Sequence, residues 1–93
     1  MELKFTNVFE RDRELHSADN LLFRQLAGKI KEIQEAKSID DVSGMEVVRG
    51  RKVYHRFKIT SGKIIYRVGI KILHGKVWFL VIDTYKKRFY KRV

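Results

Sequence analysis

The residues best suited to chemistry in this 93-residue chain are cations and tyrosines. They are concentrated in two stretches, "YHRFK" at 54–58 and "DTYKKRFYKRV" at 83–93, with Lys63 between them. The serines, histidines and acids show no pattern typical of a nucleophilic triad, and Asp83 is the only acid after Glu46. Side chains of this kind suit a nucleic-acid partner, because cations hold phosphates and tyrosine rings stack on bases.

One reaction is open to a phosphate-binding site that has no paired carboxylates. RNA is cut when its own 2′-hydroxyl attacks the adjacent phosphate. The site must supply a base for the hydroxyl, cations for the charge that grows on the phosphoryl oxygens, and an acid for the leaving oxygen. A lysine crowded by other cations can be the base, arginine or lysine can stabilise the charge, and tyrosine can transfer a proton. The composition permits this cleavage and equally permits binding without cleavage.

The charge of the chain is concentrated in its second half. The formal net charge is +10, but residues 1–46 carry −3 whereas residues 47–93 carry +13. A field this uneven attracts polyanions and speeds their encounter with the protein. Three partners fit this charge: a nucleic acid, an anionic membrane surface or an acidic protein. A basic surface that only confers solubility is the remaining interpretation.

The composition excludes several other classes of site. There is no cysteine, so the chain has neither a disulfide scaffold nor a thiolate zinc site. His16, His55 and His74 lie far apart without a metal-ligand spacing, and no glycine-rich phosphate loop is present, so no metal or cofactor is expected. No signal peptide is recognisable, and the longest apolar run, at 77–82, is too short to span a membrane. We therefore expect a cytoplasmic protein.

Hydrophobic spacing predicts one α+β domain over residues 1–93. The elements are a first strand over residues 1–9, a helical turn or loop over 10–20, and a helix over 21–38 that begins at an N-cap on Ser17. If residues 10–20 are helical, the two helices form a hairpin. After a loop at 38–44, three strands over 51–59, 64–72 and 77–83 are joined by short turns. They form an antiparallel meander, a twisted sheet with the helix packed on one face.

Alternation with a period of two divides the first meander strand between two faces. Val53, Phe57 and Ile59 are predicted to face the helix, which leaves the other face open. The open face is predicted to carry Tyr54, Arg56 and Lys58, with Lys63 across the hairpin and with Lys86, Lys87, Arg88 and Tyr90 folding back over it. Tyr90 is expected to turn inward, and Lys91 and Arg92 are expected to form a solvated end. A frayed basic tail is the alternative for the whole C-terminal stretch.

Two longer runs resemble the RelE/ParE superfamily of bacterial toxins from type II toxin–antitoxin modules. They are "YHRFKITSGKIIYRV" and "KVWFLVIDTYKKRFY". In that family a strand of alternating pattern leads through a glycine turn into R-(I/V)-(I/V)-Y, and residues 63–66 lie on this piece. Residues 84–90 lie without gaps on the terminal motif G-H-R-R-x-V-Y. The resemblance covers residues 47–90, and the first half of the chain is similar in plan only.

The resemblance implies one of two activities. RelE-like members cleave mRNA in the ribosome with a lysine and arginine cluster and a C-terminal tyrosine, whereas ParE-like members lack the cluster and inhibit DNA gyrase. The basic cluster here favours the endoribonuclease, which needs no metal. The resemblance implies that Lys58 is a candidate general base beside Arg56 and that Lys63 takes the place of a phosphate-binding arginine. It also implies that Lys86 or Lys87 takes the place of an arginine pair and that Tyr90 takes the place of the tyrosine.

The chain departs from the family pattern at several of these positions. Lysine replaces arginine at Lys63, Lys86 and Lys87, and lysine does not make the bidentate phosphate contact of arginine. Arg88 has no counterpart in the motif and is assigned, with Tyr54 and Arg56, to RNA binding. The resemblance also implies mRNA and the ribosome as partners, together with an antitoxin whose acidic helical segment covers the cations. A basic module that binds RNA without cutting it is the other alternative.

Overall fold

The computed structural model describes residues 1–93 and confirms the predicted α+β class. Two helices follow the first strand, and a third helix follows the last one. The loop after the second helix contains a short 3₁₀ turn at Ile39–Asp41. The elements are β1 (Glu2–Phe5), α1 (Asn7–Leu15), α2 (Asn20–Glu35), β2 (Glu46–Val47), β3 (Tyr54–Ser61), β4 (Ile64–Leu73), β5 (Lys76–Asp83) and α3 (Lys86–Arg92).

The five strands form one open mixed sheet in the order β1-β5-β4-β3-β2. The predicted meander of β3, β4 and β5 is antiparallel, and β1 adds to β5 in parallel. The predicted strand over residues 1–9 is too long, because β1 ends at Phe5 and Thr6 is the N-cap of α1. Its side chain accepts a hydrogen bond from the backbone N–H of Phe9, and its hydroxyl also contacts the carbonyl of Phe79 in β5. This N-cap turns the chain away from the sheet edge.

The N-cap of helix α2 is Asp19, not the predicted Ser17. The Asp19 carboxylate accepts a hydrogen bond from the backbone N–H of Leu22 at 3.0 Å, as an N-cap does. It also accepts hydrogen bonds from the hydroxyls of Ser61 at 2.8 Å and Tyr66 at 2.7 Å, which belong to the β3–β4 hairpin. The hydrogen bond from Leu22, followed by the one from Tyr66, lowers the pKa of Asp19. Aspartate serves better than serine here because one carboxylate caps the helix and holds the hairpin.

Replacing Tyr66 with phenylalanine tests this connection. Burial, and then the hydrogen bond to Asp19, raise the pKa of Tyr66 to about 12, so its hydroxyl stays protonated and donates at neutral pH. We expect Tyr66→Phe to lower the free energy of unfolding by about 1 kcal/mol, measured by urea denaturation. An unchanged midpoint would contradict the contact.

One face of the sheet packs against α1 and α2 and forms the main core. The predicted apolar face of α2 is confirmed at Leu22, Leu26 and Ile33, which are buried, and Ile30 is partly buried against them. Period-two alternation is likewise confirmed in the strands, where alternate side chains enter this core. Its other members are Phe9, Val42, Phe57, Ile59, Tyr66, Val68, Ile70, Val77, Phe79 and Ile82.

The opposite face of the sheet carries α3. Phe89 and Val93 pack there with Val48 and Val81 in a second, smaller core. Phe89, rather than the predicted Tyr90, turns inward; Phe89 is fully buried whereas Tyr90 is 37% exposed. The Phe89 position is favoured because it faces Gly69, where the absent side chain leaves room for the ring.

Gly69 allows α3 to lie directly on β4. A Cβ atom at this position would be 2.7 Å from Cγ2 of Val93 and 3.2 Å from the Phe89 ring. We expect Gly69→Ala to cost about 1–3 kcal/mol of unfolding free energy, because the tightly packed helix must shift. Urea denaturation measures this loss. The double variant Gly69→Ala/Val93→Ala should recover part of the lost stability. A Gly69→Ala protein as stable as the wild type would contradict the close packing of α3 on β4.

Arg92 fixes the end of α3 and is not a solvated end. Its guanidinium donates two hydrogen bonds to Asp12 of α1, at 2.8 and 2.7 Å, and one to Asp83 at 2.8 Å. Asp12 in turn accepts a hydrogen bond from the backbone N–H of Ile82 at 2.9 Å. Ile82 lies beyond the part of β5 that pairs with β1, which ends at Phe79. The C-terminal stretch is therefore a docked helix and not a frayed tail.

Candidate nucleic-acid interface

The sheet face that carries α3, hereafter the cationic face, is organised in rows across β3, β4 and β5. Residues that pair in adjacent strands point to the same side, so the register gives the members of each row. Leu80 forms a bulge that pairs with no residue of β4. Because of this bulge, Val81 and Asp83 point to the same face as Trp78. The first row is Lys58, Arg67 and Asp83, the second is Arg56, Gly69 and Val81, and the third is Tyr54, Lys71 and Trp78.

Arg67 is the central residue of the first row. It lies between Lys58 on β3 and Asp83 on β5. Asp83 is already engaged by other cations, and Arg67 takes part in no ion pair. Its Nε is buried and has no hydrogen-bond partner in the protein. Lys58 is exposed beside it and also has no acidic partner. Two adjacent cations that make no ion pair are able to bind an anion such as a phosphate.

Asp83 organises the cations around the end of β5. Its carboxylate accepts hydrogen bonds from Arg88 at 2.7 Å, from the backbone N–H of Tyr85 at 2.9 Å and from Arg92 at 2.8 Å. Burial by itself would raise the pKa of Asp83, but the hydrogen bonds from Arg88, Tyr85 and Arg92 outweigh it and hold the pKa well below the usual range. Asp83 is therefore ionised at neutral pH and does not act as a proton donor.

The remaining α3 residues of the predicted site lie near this row. Arg88 binds Asp83 through Nε and Nη2, yet its side chain remains 58% exposed. Lys86 and Lys87 are exposed in the first turn of α3, which begins just after β5 ends. Tyr90 stands edge-on to Phe89 with ring centroids 5.1 Å apart. Helix α3 thus presents two lysines, an arginine and an accessible tyrosine next to the end of β5, where the first row ends at Asp83.

Lys63 lies apart from that pair. It occupies the turn between β3 and β4 and is exposed at the tip of the hairpin. Arg67 follows it by four positions on an extended strand, which corresponds to roughly 13 Å. The structure therefore places the predicted phosphate-binding Lys63 at the edge of the cationic face, and Arg67 in the middle.

The two other predicted RNA-binding residues lie further along β3 from Lys58, Arg56 in the second row and Tyr54 in the third. Arg56 forms an ion pair with Glu46 at 2.9 Å, and its side chain is only 14% exposed. Tyr54 lies in the third row, where the guanidinium of Arg51 stacks over its ring at 4.0 Å. On β4 the face is divided, because Phe89 and Val93 cover Gly69 between Arg67 and Lys71.

Sequence reasoning missed Arg67. The signal that identifies it is the same alternation that identified Lys58, continued through the hairpin into β4, where Arg67, Gly69 and Lys71 share a face.

No three His, Asp or Glu side chains of the chain are grouped so that they could hold a metal ion. None of the helices has the length and apolar character needed to cross a membrane.

Comparison of this chain with models of protein families, with curated protein sequences and with solved structures gives no match.

Proposed function

We propose that this protein is the toxin of a type II toxin–antitoxin module and a RelE-like endoribonuclease that cleaves mRNA on the ribosome. The observation that carries the proposal is the Lys58–Arg67 pair, two neighbouring cations without an acidic partner on an accessible sheet face. The resemblance of residues 47–90 to the RelE/ParE superfamily supports it independently. An enzyme that acts on translated mRNA works in the cytoplasm.

The reaction uses the 2′-hydroxyl of the substrate as nucleophile. Arg67 binds the non-bridging oxygens of the scissile phosphate, because a guanidinium can donate two parallel hydrogen bonds. Lys58 accepts the proton of the 2′-hydroxyl. The 2′-oxygen then attacks phosphorus while the bond to the 5′-oxygen breaks. Tyr90 protonates the leaving 5′-oxygen, and the products are a 2′,3′-cyclic phosphate and a 5′-hydroxyl.

The surrounding cations hold the RNA rather than react with it. Arg88 is exposed while Asp83 keeps its guanidinium in place, so it offers a fixed positive charge beside the scissile phosphate. Lys86, Lys87 and Lys63 contact more distant phosphates as point charges. An acidic helical segment of an antitoxin would neutralise the same face and block access to it.

The test is to map mRNA 5′ ends after the purified protein is added to a cell-free translation extract. We expect new cuts inside codons that depend on active translation and disappear with Lys58→Ala. Lys37→Ala is the matched control, since Lys37 is an exposed lysine outside the cationic face and its replacement removes the same charge. Intact mRNA with active, folded protein would overturn the proposal, and a DNA supercoiling assay would then test gyrase inhibition.

Binding of RNA without cleavage is the second candidate. It is favoured by the absence of any histidine or free carboxylate in the first row, which leaves lysine as the only base. In that case the affinity for single-stranded RNA falls with salt, with a slope of about 0.7 per neutralised phosphate, while the RNA stays intact. Expression of the protein in bacteria distinguishes the two candidates, because a toxin slows the growth of the cells and a binding module does not.

A further inference from the structure

A second group of cations and rings lies on the cationic face, on the other side of α3. It is the third row, continued onto β1, where Lys4 pairs with Trp78. Lys71 pairs with Trp78 on the other side and then with Tyr54. We call this group the aromatic strip: Lys4, Trp78, Lys71, Tyr54 and the adjacent Arg51.

The strip alternates rings and positive charges across four strands. Trp78, the only tryptophan of the chain, is partly exposed between Lys4 and Lys71. Arg51 and Lys71 approach the Tyr54 ring at 4.0 and 5.8 Å. One acidic side chain is nearby: Glu2 contacts Lys4 at 3.4 Å and Lys76 at 3.9 Å. Arg51 donates a hydrogen bond to the main-chain oxygen of Val93. The net charge of the strip and its border is therefore positive.

The strip is distinct from the Lys58–Arg67 pair. On β4, Gly69 lies two residues from Arg67 and two from Lys71, and α3 packs directly on it. Arg67 and Lys71 are thus separated by roughly 13 Å along the strand, with Phe89 and Val93 between them. A ligand that contacts both must pass over or around α3.

We propose that the aromatic strip is a stacking subsite for the same single-stranded RNA, in which one base lies on Trp78 and the flanking phosphates contact Lys71 and Lys4. The chemistry favours RNA over an acidic protein, because rings interleaved with cations on a sheet match the repeat of bases and phosphates. The inference rests on the proposed function and extends it: the substrate is a strand long enough to occupy both sides of α3.

The single tryptophan makes the test direct, since any fluorescence change reports on the strip itself. The full chain is titrated with a 2′-O-methyl oligoribonucleotide of about ten nucleotides, which cannot be cut and matches the length that single-strand sites accommodate. We expect saturable quenching of Trp78 fluorescence. Polyglutamate of equal charge serves as the control and should bind, if at all, without the same quenching.

Affinity is measured in parallel from the anisotropy of the labelled oligonucleotide. Trp78→Leu should weaken binding about tenfold, because stacking on one ring is lost. Lys71→Ala should also weaken binding, whereas Lys37→Ala should not. Binding with unchanged Trp78 fluorescence, or equal quenching by polyglutamate, would overturn the stacking subsite.

The outcome separates this inference from the proposed function. If mRNA is cut in the extract but Trp78 is unaffected by RNA, the strip is not a subsite and the nuclease stands. If Trp78 is quenched but no mRNA is cut, the strip is a subsite and the nuclease is wrong. Absence of any RNA binding would overturn both.

Discussion

Replacing Arg67 with alanine is expected to lower the rate of mRNA cleavage by about 100-fold or more. Arg67 is the partly buried member of the cation pair, and it makes no ion pair because the adjacent Asp83 is bound by Arg88 and Arg92. The rate is measured with a defined mRNA in a translating extract, at saturating and at low protein concentration. The rate at saturation should fall by nearly as much as the rate at low concentration, because the charge on the phosphoryl oxygens is greatest in the transition state.

Lys58 permits a sharper comparison within the same prediction. Lys58→Ala should reduce cleavage by about 100- to 10,000-fold, which is the usual contribution of a general base. Lys58→Arg retains the positive charge but cannot accept a proton at neutral pH, so it should bind RNA and still fail to cut it. Wild-type cleavage by Lys58→Arg would show that this position supplies charge only. Wild-type cleavage by Arg67→Ala would remove the pair as the site.

Replacing Asp83 with asparagine is expected to lower the free energy of unfolding by about 3 kcal/mol at neutral pH. The carboxylate is 2% exposed and joins α3 to the end of β5 through Arg88 and Arg92. Asparagine preserves the volume and an acceptor for the Tyr85 N–H, but it leaves both arginines without their common charge. Urea denaturation followed by circular dichroism measures the loss.

The same variant has a defined dependence on pH. The pKa of Asp83 is lowered in the folded protein, so its contribution to stability is fully present above the unfolded pKa of about 3.9 and is lost as the pH falls towards the folded value. The difference between wild type and Asp83→Asn should therefore be constant near neutral pH and shrink below about pH 4. Asp19 and Glu32, whose pKa values are also lowered, are common to both proteins and cancel.

Asp12→Asn is the matched control for this experiment. It alters the other partner of Arg92 while Asp83 remains paired with both arginines, so its loss should be smaller. A pH-independent difference between wild type and Asp83→Asn would contradict the assigned role of the Asp83 charge.

Local patterns predicted the elements well. The period of two in "YHRFKI" predicted β3 and its buried Phe57 and Ile59, and the helical spacing of Leu22, Leu26 and Ile33 predicted the buried face of α2. These predictions succeed because alternation depends only on residues close in the chain. The helix start was wrong because Ser17 and Asp19 are both good N-caps, and only the contacts of Asp19 with Ser61 and Tyr66 select between them.

By itself, the sequence determined the class of the fold, the strongly basic second half and the cationic character of one sheet face. The tertiary structure decided which cations are neighbours. Arg67 meets Lys58 through the strand register, Gly69 admits α3 onto the sheet, and Arg92 binds Asp12 across 80 positions of the chain. Such pairings depend on how remote surfaces pack, and a local pattern of residue types contains no information about that packing.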